Sequence, residues 1–305
     1  MRITLKHLGR AALGCISAAI FVGSGSSAET AIPQLSGEWG RTQFNLEAPP
    51  TGPGPVTNRM RKPDGTINDD KARVGDFMHP LLKAEAAAVL KMRGEFSMTG
   101  RSIPDPHNQC RPEPPPFTMT IQLELMLLQQ KDEVSLIYVN GEVVRHVRMN
   151  VPHPQNLTPT WQGDSVGRYE GDTLVIDTVG IKTGPYAVID RYGTPFSDKL
   201  HVIERYRLID GKDAADAIRK HRRTFNGDDK PVRSDIYGAD VDLDTSHPGL
   251  QIEVTVDDPG IFTMPWKGLV TYTRGTGWPE MSCAESPQQS AGLAANYPVA
   301  DKPDF

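Results

Sequence analysis

The chain has 305 residues, and its 33 Lys and Arg against 38 Asp and Glu leave a formal charge of −5. An acidic chain of this kind argues against nucleic acid and anionic membrane surfaces as partners. Its three cysteines, Cys15, Cys110 and Cys283, sit in no C-x-x-C or Cys/His cluster, which argues against a structural zinc centre.

Residues 1–28 read as a secretory signal. Arg2, Lys6 and Arg10 precede an apolar run from Ala11 to Val22, and Ser26, Ser27 and Ala28 supply the small residues of a cleavage site. The run is shorter than the roughly 20 residues of a membrane span, so no membrane insertion is expected. Cys15 follows Gly14, but a lipidated cysteine closes such a run and this one continues past it. Export places the chain in the periplasm or outside the cell. There Cys110 and Cys283 are expected to pair as a disulfide worth on the order of 5 kcal/mol in the chain-entropy model. Two buried thiols are the alternative.

Residues 29–100 read as an extended N-terminal arm with one helix. "SGEWGRTQF" suits a short strand, and Pro, Gly and charge dominate "APPTGPGPVTNRMRKPDGTINDDKARVGD". The helix is expected over "HPLLKAEAAAVLKMRG", with Pro80 in its first turn, Gly94 at its end, and Leu82, Ala86 and Val89 on one face.

Residues 101–305 read as a β domain. "MTIQLEL", Met119 to Leu125, alternates apolar and polar residues, the pattern of a half-buried strand. "KDEVSLIYVNGEVVRHVRMNV" holds two β-rich runs around Asn140-Gly141, a two-residue hairpin pair. That turn sets Tyr138 opposite Val143, Leu136 opposite Arg145 and Val134 opposite Val147. Further strands are expected in "DTLVIDTV", "DKLHVIERYRLI", "GLQIEVTVDD" and "KGLVTYTRG". Asp213 to Arg223 suits a second helix, acids first and bases last. Many short strands and two short helices predict a mainly β, single-domain antiparallel barrel or sandwich, calycin- or lipocalin-like.

"GDSVG", Gly163 to Gly167, matches the G-x-S-x-G of a nucleophile elbow, which needs a helix directly after the serine. Here "RYEGDTLVIDT" follows, a turn and then a β-branched run, so Ser165 is expected in a turn with Gly163 and Gly167 at positive φ. A serine esterase using Ser165 is a minor alternative. "PTWQGDSVGRYEGDTLVIDTVG", "SDKLHVIERYRLID", "VTVDDPGIFTMPW" and "SCAES" together resemble a large family of exported, mostly uncharacterised Gram-negative bacterial proteins. The resemblance runs from about Cys110 onward and implies one exported, β-rich domain without assigning an activity.

Charged residues on otherwise apolar faces give the sharpest functional signal, because a buried charge must be paired or used. Arg145 shares its face with Val134, Leu136, Tyr138, Val143, Val147 and Met149; Glu204 shares one with Leu200, Val202, Tyr206 and Leu208. Either they form a structural ion pair, or they line a cavity in which Arg145 holds an anionic oxygen and Glu204 acts as general base. Asp177, alternating with Val175 and Val179, is a third candidate acid. His153 in "VPHPQN" and His107 in "DPHNQC" are candidate rings at a barrel mouth. Tyr138 and Trp161 complete the candidate binding set. Asp240, Asp242 and Asp244 occupy the first three ligand positions of a calcium loop, but Thr245 and Gln251 replace its Gly and Glu, so no metal is expected.

The function expected from these features is binding of a small, partly apolar organic molecule. If it is an enzyme, the expected reaction is cofactor-free acid–base chemistry on that molecule, as a lyase, isomerase or hydrolase. The alternative is a non-catalytic binding or envelope-scaffold protein. The sequence sets no oligomeric state.

Overall fold

The computed structural model describes residues 32–42, 44–67, 72–138, 143–227 and 245–275. The expected leader, Cys15, Cys283, the Asn140-Gly141 turn and Asp240 to Asp244 lie outside the described residues.

Nine strands close into one barrel in sequence order. They are β1 (Gly37–Gly40), β2 (Glu124–Gln129), β3 (Glu133–Tyr138), β4 (Val143–Met149) and β5 (Asp164–Glu170), then β6 (Thr173–Val179), β7 (His201–Ile209), β8 (Gly249–Asp257) and β9 (Trp266–Arg274). The barrel reading therefore holds over the sandwich. The stretch expected as an arm supplies β1, and Glu47 pairs with Leu269 beyond it, so this stretch also contributes barrel wall.

One joint corrects the antiparallel expectation: β4 and β5 run parallel, through Val147 opposite Ser165, Arg148 opposite Val166 and Met149 opposite Gly167. Two strands of like direction need a connection long enough to return along the barrel, and residues 150–163 supply it. Gly167 is required there, since a Cβ would stand 2.7 Å from Met149 Sδ and 2.8 Å from Val147 Cγ1.

Strand alternation decides what faces the core. The β3–β4 register matches the turn-based expectation at all three pairs, Tyr138 with Val143, Leu136 with Arg145 and Val134 with Val147. Val202, Glu204 and Tyr206 of β7 are fully buried together, as their alternation predicts. The inward rows are otherwise aliphatic and aromatic, from Trp39, Leu125 and Leu127 to Ile252, Val254 and Val270.

Two local expectations fail for identifiable reasons. "MTIQLEL" is not one strand: Phe117–Ile121 forms a short helix, α2, and β2 starts at Glu124. Every residue from Phe117 to Leu125 is buried, so the alternation does not separate a wet face from a dry one. The helical turn instead lets Thr118 Oγ1 donate to the Pro114 carbonyl (3.1 Å) and Thr120 Oγ1 to that of Phe117 (2.8 Å). The N-terminal helix, α1 (Ala84–Ser97), begins later than Pro80 and runs through Gly94, which packs on Val74 instead of ending it. A third helix, α3 (Gly211–Asn226), covers the expected Asp213 to Arg223. Asp210 caps it by accepting from Lys212 N at 2.8 Å.

Candidate functional site

Inside the barrel, Arg145 and Glu204 meet. Arg145 Nη1 donates to Glu204 Oε1 at 3.3 Å, and Nη2 makes a closer contact with Oε2. Tyr206 Oη donates to Oε1 at 2.9 Å. The side chains are 3 % and 0 % exposed, which makes this a desolvated ion pair with both carboxylate oxygens engaged. Burial alone would pull the Arg145 pKa down, but Glu204 and Tyr206 beside it carry it upward. Burial, then the Glu204 charge, pushes the Tyr206 hydroxyl up.

Tyr138 and Tyr272 complete this interior. Burial raises the pKa of each hydroxyl, and each feels Glu204 as well. Tyr138 lies beside Tyr206 but outside hydrogen-bond geometry, so its hydroxyl has no partner; nor do Tyr272 Oη and Arg145 Nε. Arg41 adds a second buried cation, 5.5 Å above the Tyr272 ring. Its Nε donates to the Gln122 carbonyl at 3.1 Å, its Nη1 to that of Asn45 at 3.0 Å, and its Nη2 to that of Met119.

Asp177 and His153 are not part of this interior group. Strand parity turns Asp177 outward, opposite Val166 and Ile203. His153, from the β4–β5 connection, does not overhang a mouth; it lies against the same outer surface. Its Nδ1 faces Asp164 Oδ2 at 2.6 Å and its Nε2 faces Asp177 Oδ1 at 3.2 Å. His201 Nε2 reaches the same Asp177 oxygen at 2.8 Å, and Arg148 Nη2 holds both oxygens of Asp164 at 2.8 Å. The result is an alternating chain, Arg148, Asp164, His153, Asp177, His201, laid across the short parallel joint. The hydrogen bond to Asp177 raises the His201 pKa, and the same bond, with that of His153, lowers Asp177 against the opposing effect of burial.

The remaining candidates separate further. Trp161 lies in the β4–β5 connection with Lys182 Nζ 5.1 Å from its ring centroid. Ser165 is in strand β5 rather than a turn, buried, its Oγ 2.9 Å from Thr178 Oγ1. Gly163 has φ +73°, while Gly167 is an ordinary strand residue. A buried strand serine paired with a threonine has neither base nor helix to activate it. His107 packs its Nδ1 on buried Glu113 at 2.6 Å, and Gln122 Nε2 donates to the other Glu113 oxygen at 2.8 Å. Cys110 is disulfide-bonded. Among the described residues no group of three His, Cys, Asp or Glu is arranged to hold a metal ion.

Sequence reading missed Tyr272, Arg41, His201, Asp164 and Arg148 as site members. Alternation along β9 would have placed Tyr272 inward. The shared outward parity of Asp177 and His201 was also legible once β6 and β7 were paired. No family model, curated protein or solved structure matches the chain.

Proposed function

We propose that the protein is an exported barrel that binds a small, partly apolar organic molecule in its interior. The observation that carries this reading is the set of unpartnered polar atoms around the ion pair, Tyr138 Oη, Tyr272 Oη and Arg145 Nε. Each unmet group in a desolvated interior costs about 1–3 kcal/mol, a cost that a bound polar group removes. Leu125, Leu136, Val202 and Val254 around them suit an apolar body. Glu204 acts here by fixing Arg145 rather than as a general base, because Arg145 and Tyr206 occupy its oxygens. An apolar cleft of about 230 Å³ beside α1, lined by Met92, Phe96, Ile103, Pro104, Pro185 and Arg93, is less suited. Its one polar side chain, Arg93, is committed to the Gly193 carbonyl.

Export and a Cys110–Cys283 disulfide belong to the same proposal, supported by the leader pattern and by the bonded state of Cys110. The test is native mass spectrometry of the full chain purified from the periplasm or medium, combined with Tyr138→Phe and Tyr272→Phe. The expected result is a discrete adduct that either variant loses, with folded stability unchanged or raised because an unmet hydroxyl has gone. A bare mass, together with variants that lose stability, would instead favour a sealed structural core and the scaffold role.

A further inference from the structure

The connection between α1 and α2 carries a group of titratable side chains outside the barrel interior. Asp105 and Glu113 are buried there, and His107 stands between them in sequence. His107 Nδ1 donates to Glu113 Oε1 at 2.6 Å, and Gln122 Nε2, shortly before β2, donates to Oε2 at 2.8 Å. The ring thereby ties its loop to the barrel end through one buried carboxylate. The His107 side chain is 36 % exposed and its Nε2 has no partner among the described residues, so water supplies and removes its proton.

The loop is braced within itself. Asn108 Nδ2 donates to the Ile103 carbonyl at 2.8 Å, Asn108 N to Asp105 Oδ1 at 2.8 Å, and Asp105 N to Asn108 Oδ1 at 3.1 Å. Arg111 N donates to the Pro106 carbonyl at 2.9 Å. Ile103 and Pro104, at the start of the loop, form part of the wall of the apolar cleft beside α1. Bracing of this kind passes a change at His107 to that wall.

His107 is faced by Glu113 and Asp105 from its own segment and by Arg191 from the β6–β7 connection; Arg191 and Arg73 also face Asp105. Burial would lower the His107 pKa, but the hydrogen bond and charge of Glu113, then the Asp105 charge, carry it above 6.5. Burial raises the Glu113 carboxyl against the pull of His107, and raises that of Asp105 against the hydrogen bond from Asn108 and the pull of His107. All three shifts have one sign: the folded loop holds protons more tightly than the unfolded chain. The His107 contribution is therefore complete below about pH 6.5 and lost as pH rises through its folded value, and the two carboxyls add losses in the same direction. Above that value a neutral ring faces two buried carboxylates, and an ionic hydrogen bond becomes a weaker neutral one. We infer that residues 103–111 form a pH-operated clasp on the cleft wall, closed when protonated His107 holds Glu113 and released when the ring is neutral. The clasp is separate from the barrel interior and does not depend on a ligand there.

The test is hydrogen exchange of the full chain at pH 6 and pH 8.5, read as protection factors corrected for intrinsic exchange, with an NMR titration of the histidine rings. Protection in residues 103–111 should be about fivefold higher at pH 6, the difference between a charge-assisted and a neutral hydrogen bond. His107→Gln, which stays neutral and keeps a donor for Glu113, should show the parent's pH 8.5 protection at both pH values. His107→Lys, which stays cationic, should keep the pH 6 protection at both, so either variant decides if the other fails to fold. Glu113→Gln should lower the pH at which His107 titrates. Equal protection of the parent at both pH values, a pH difference that survives in His107→Gln, or a His107 that titrates at or below 6.5 would each overturn the clasp.

Discussion

Replacing Glu204 with Gln tests the energetics of the barrel interior directly. The substitution keeps the shape of the side chain but leaves the Arg145 guanidinium, 3 % exposed, without a counter-charge. Removing one partner of a buried, hydrogen-bonded ion pair typically costs about 3–5 kcal/mol, because the other charge stays desolvated. Tyr206, which donates to Glu204 Oε1, loses an ionic acceptor as well. Arg145→Met alone should cost a similar amount, since it strands the carboxylate, and so should Glu204→Leu alone, which strands the guanidinium. Arg145→Met combined with Glu204→Leu removes both charges and restores apolar contact with Leu136 and Val254, their cross-strand neighbours. The double variant should therefore return to within about 2 kcal/mol of the parent, giving a coupling of several kcal/mol. Urea unfolding of the five proteins at one pH, with equal m-values as the control, measures this. Single losses under about 1 kcal/mol, or additive losses in the double variant, would refute a desolvated pair at this position.

Three other outcomes follow from groups elsewhere in the fold. Burial, then the Glu38 charge, pushes the Glu124 carboxyl up from 4.5 to about 7, and neither of its oxygens has a partner. A raised carboxyl pKa makes the folded state hold its proton more tightly, so stability is lost as pH rises from about 4.5 to 7. The full shift corresponds to about 3 kcal/mol, and screening near the barrel surface reduces the expected loss to about 2 kcal/mol. Glu124→Gln should abolish that part of the pH dependence in denaturant titrations at pH 4 and pH 8; an unchanged profile would exclude Glu124 as its source.

The raised His201 and lowered Asp177 have complementary effects. The His201 contribution is complete below about pH 6.5 and fades as pH rises through its folded value, while that of Asp177 is complete above about pH 4 and fades as pH falls through its folded value. Their pairing should be strongest between about pH 4 and 6.5, so hydrogen-exchange protection factors in residues 150–163, corrected for the intrinsic pH dependence of exchange, should be higher at pH 6 than at pH 8. His201→Ala should shrink that difference, and equal protection factors at both pH values would refute a protonation-dependent tie. Asp210→Ala should cost about 1 kcal/mol through loss of the cap on α3, read as a shift in urea midpoint; no shift would show that the cap is energetically silent.

Much of the barrel is legible in the sequence, because strand periodicity is a local property. The Asn140-Gly141 pair was enough to place Arg145 inward beside Leu136 and Tyr138, and alternation in "LHVIERYRL" put Glu204 on the buried face of β7. The same logic failed over Met119 to Leu125. There the surroundings bury both faces, and threonine hydroxyls find carbonyls within their own turn, so apolar–polar alternation no longer reports an exposed side.

Parity by itself determined which side chains point inward; only closure of the barrel decided which of them meet. β4 and β7 are not neighbours in the wall, and no pattern within either strand says that Arg145 reaches across to Glu204. For the same reason Asp177, grouped with Glu204 by chemistry, belongs to the opposite face of the wall, where His153, His201 and Asp164 converge from a connection and two further strands. Sequence periodicity fixes side-chain direction one strand at a time, whereas contact between distant strands depends on strand order, the single parallel joint and the curvature that closes the sheet.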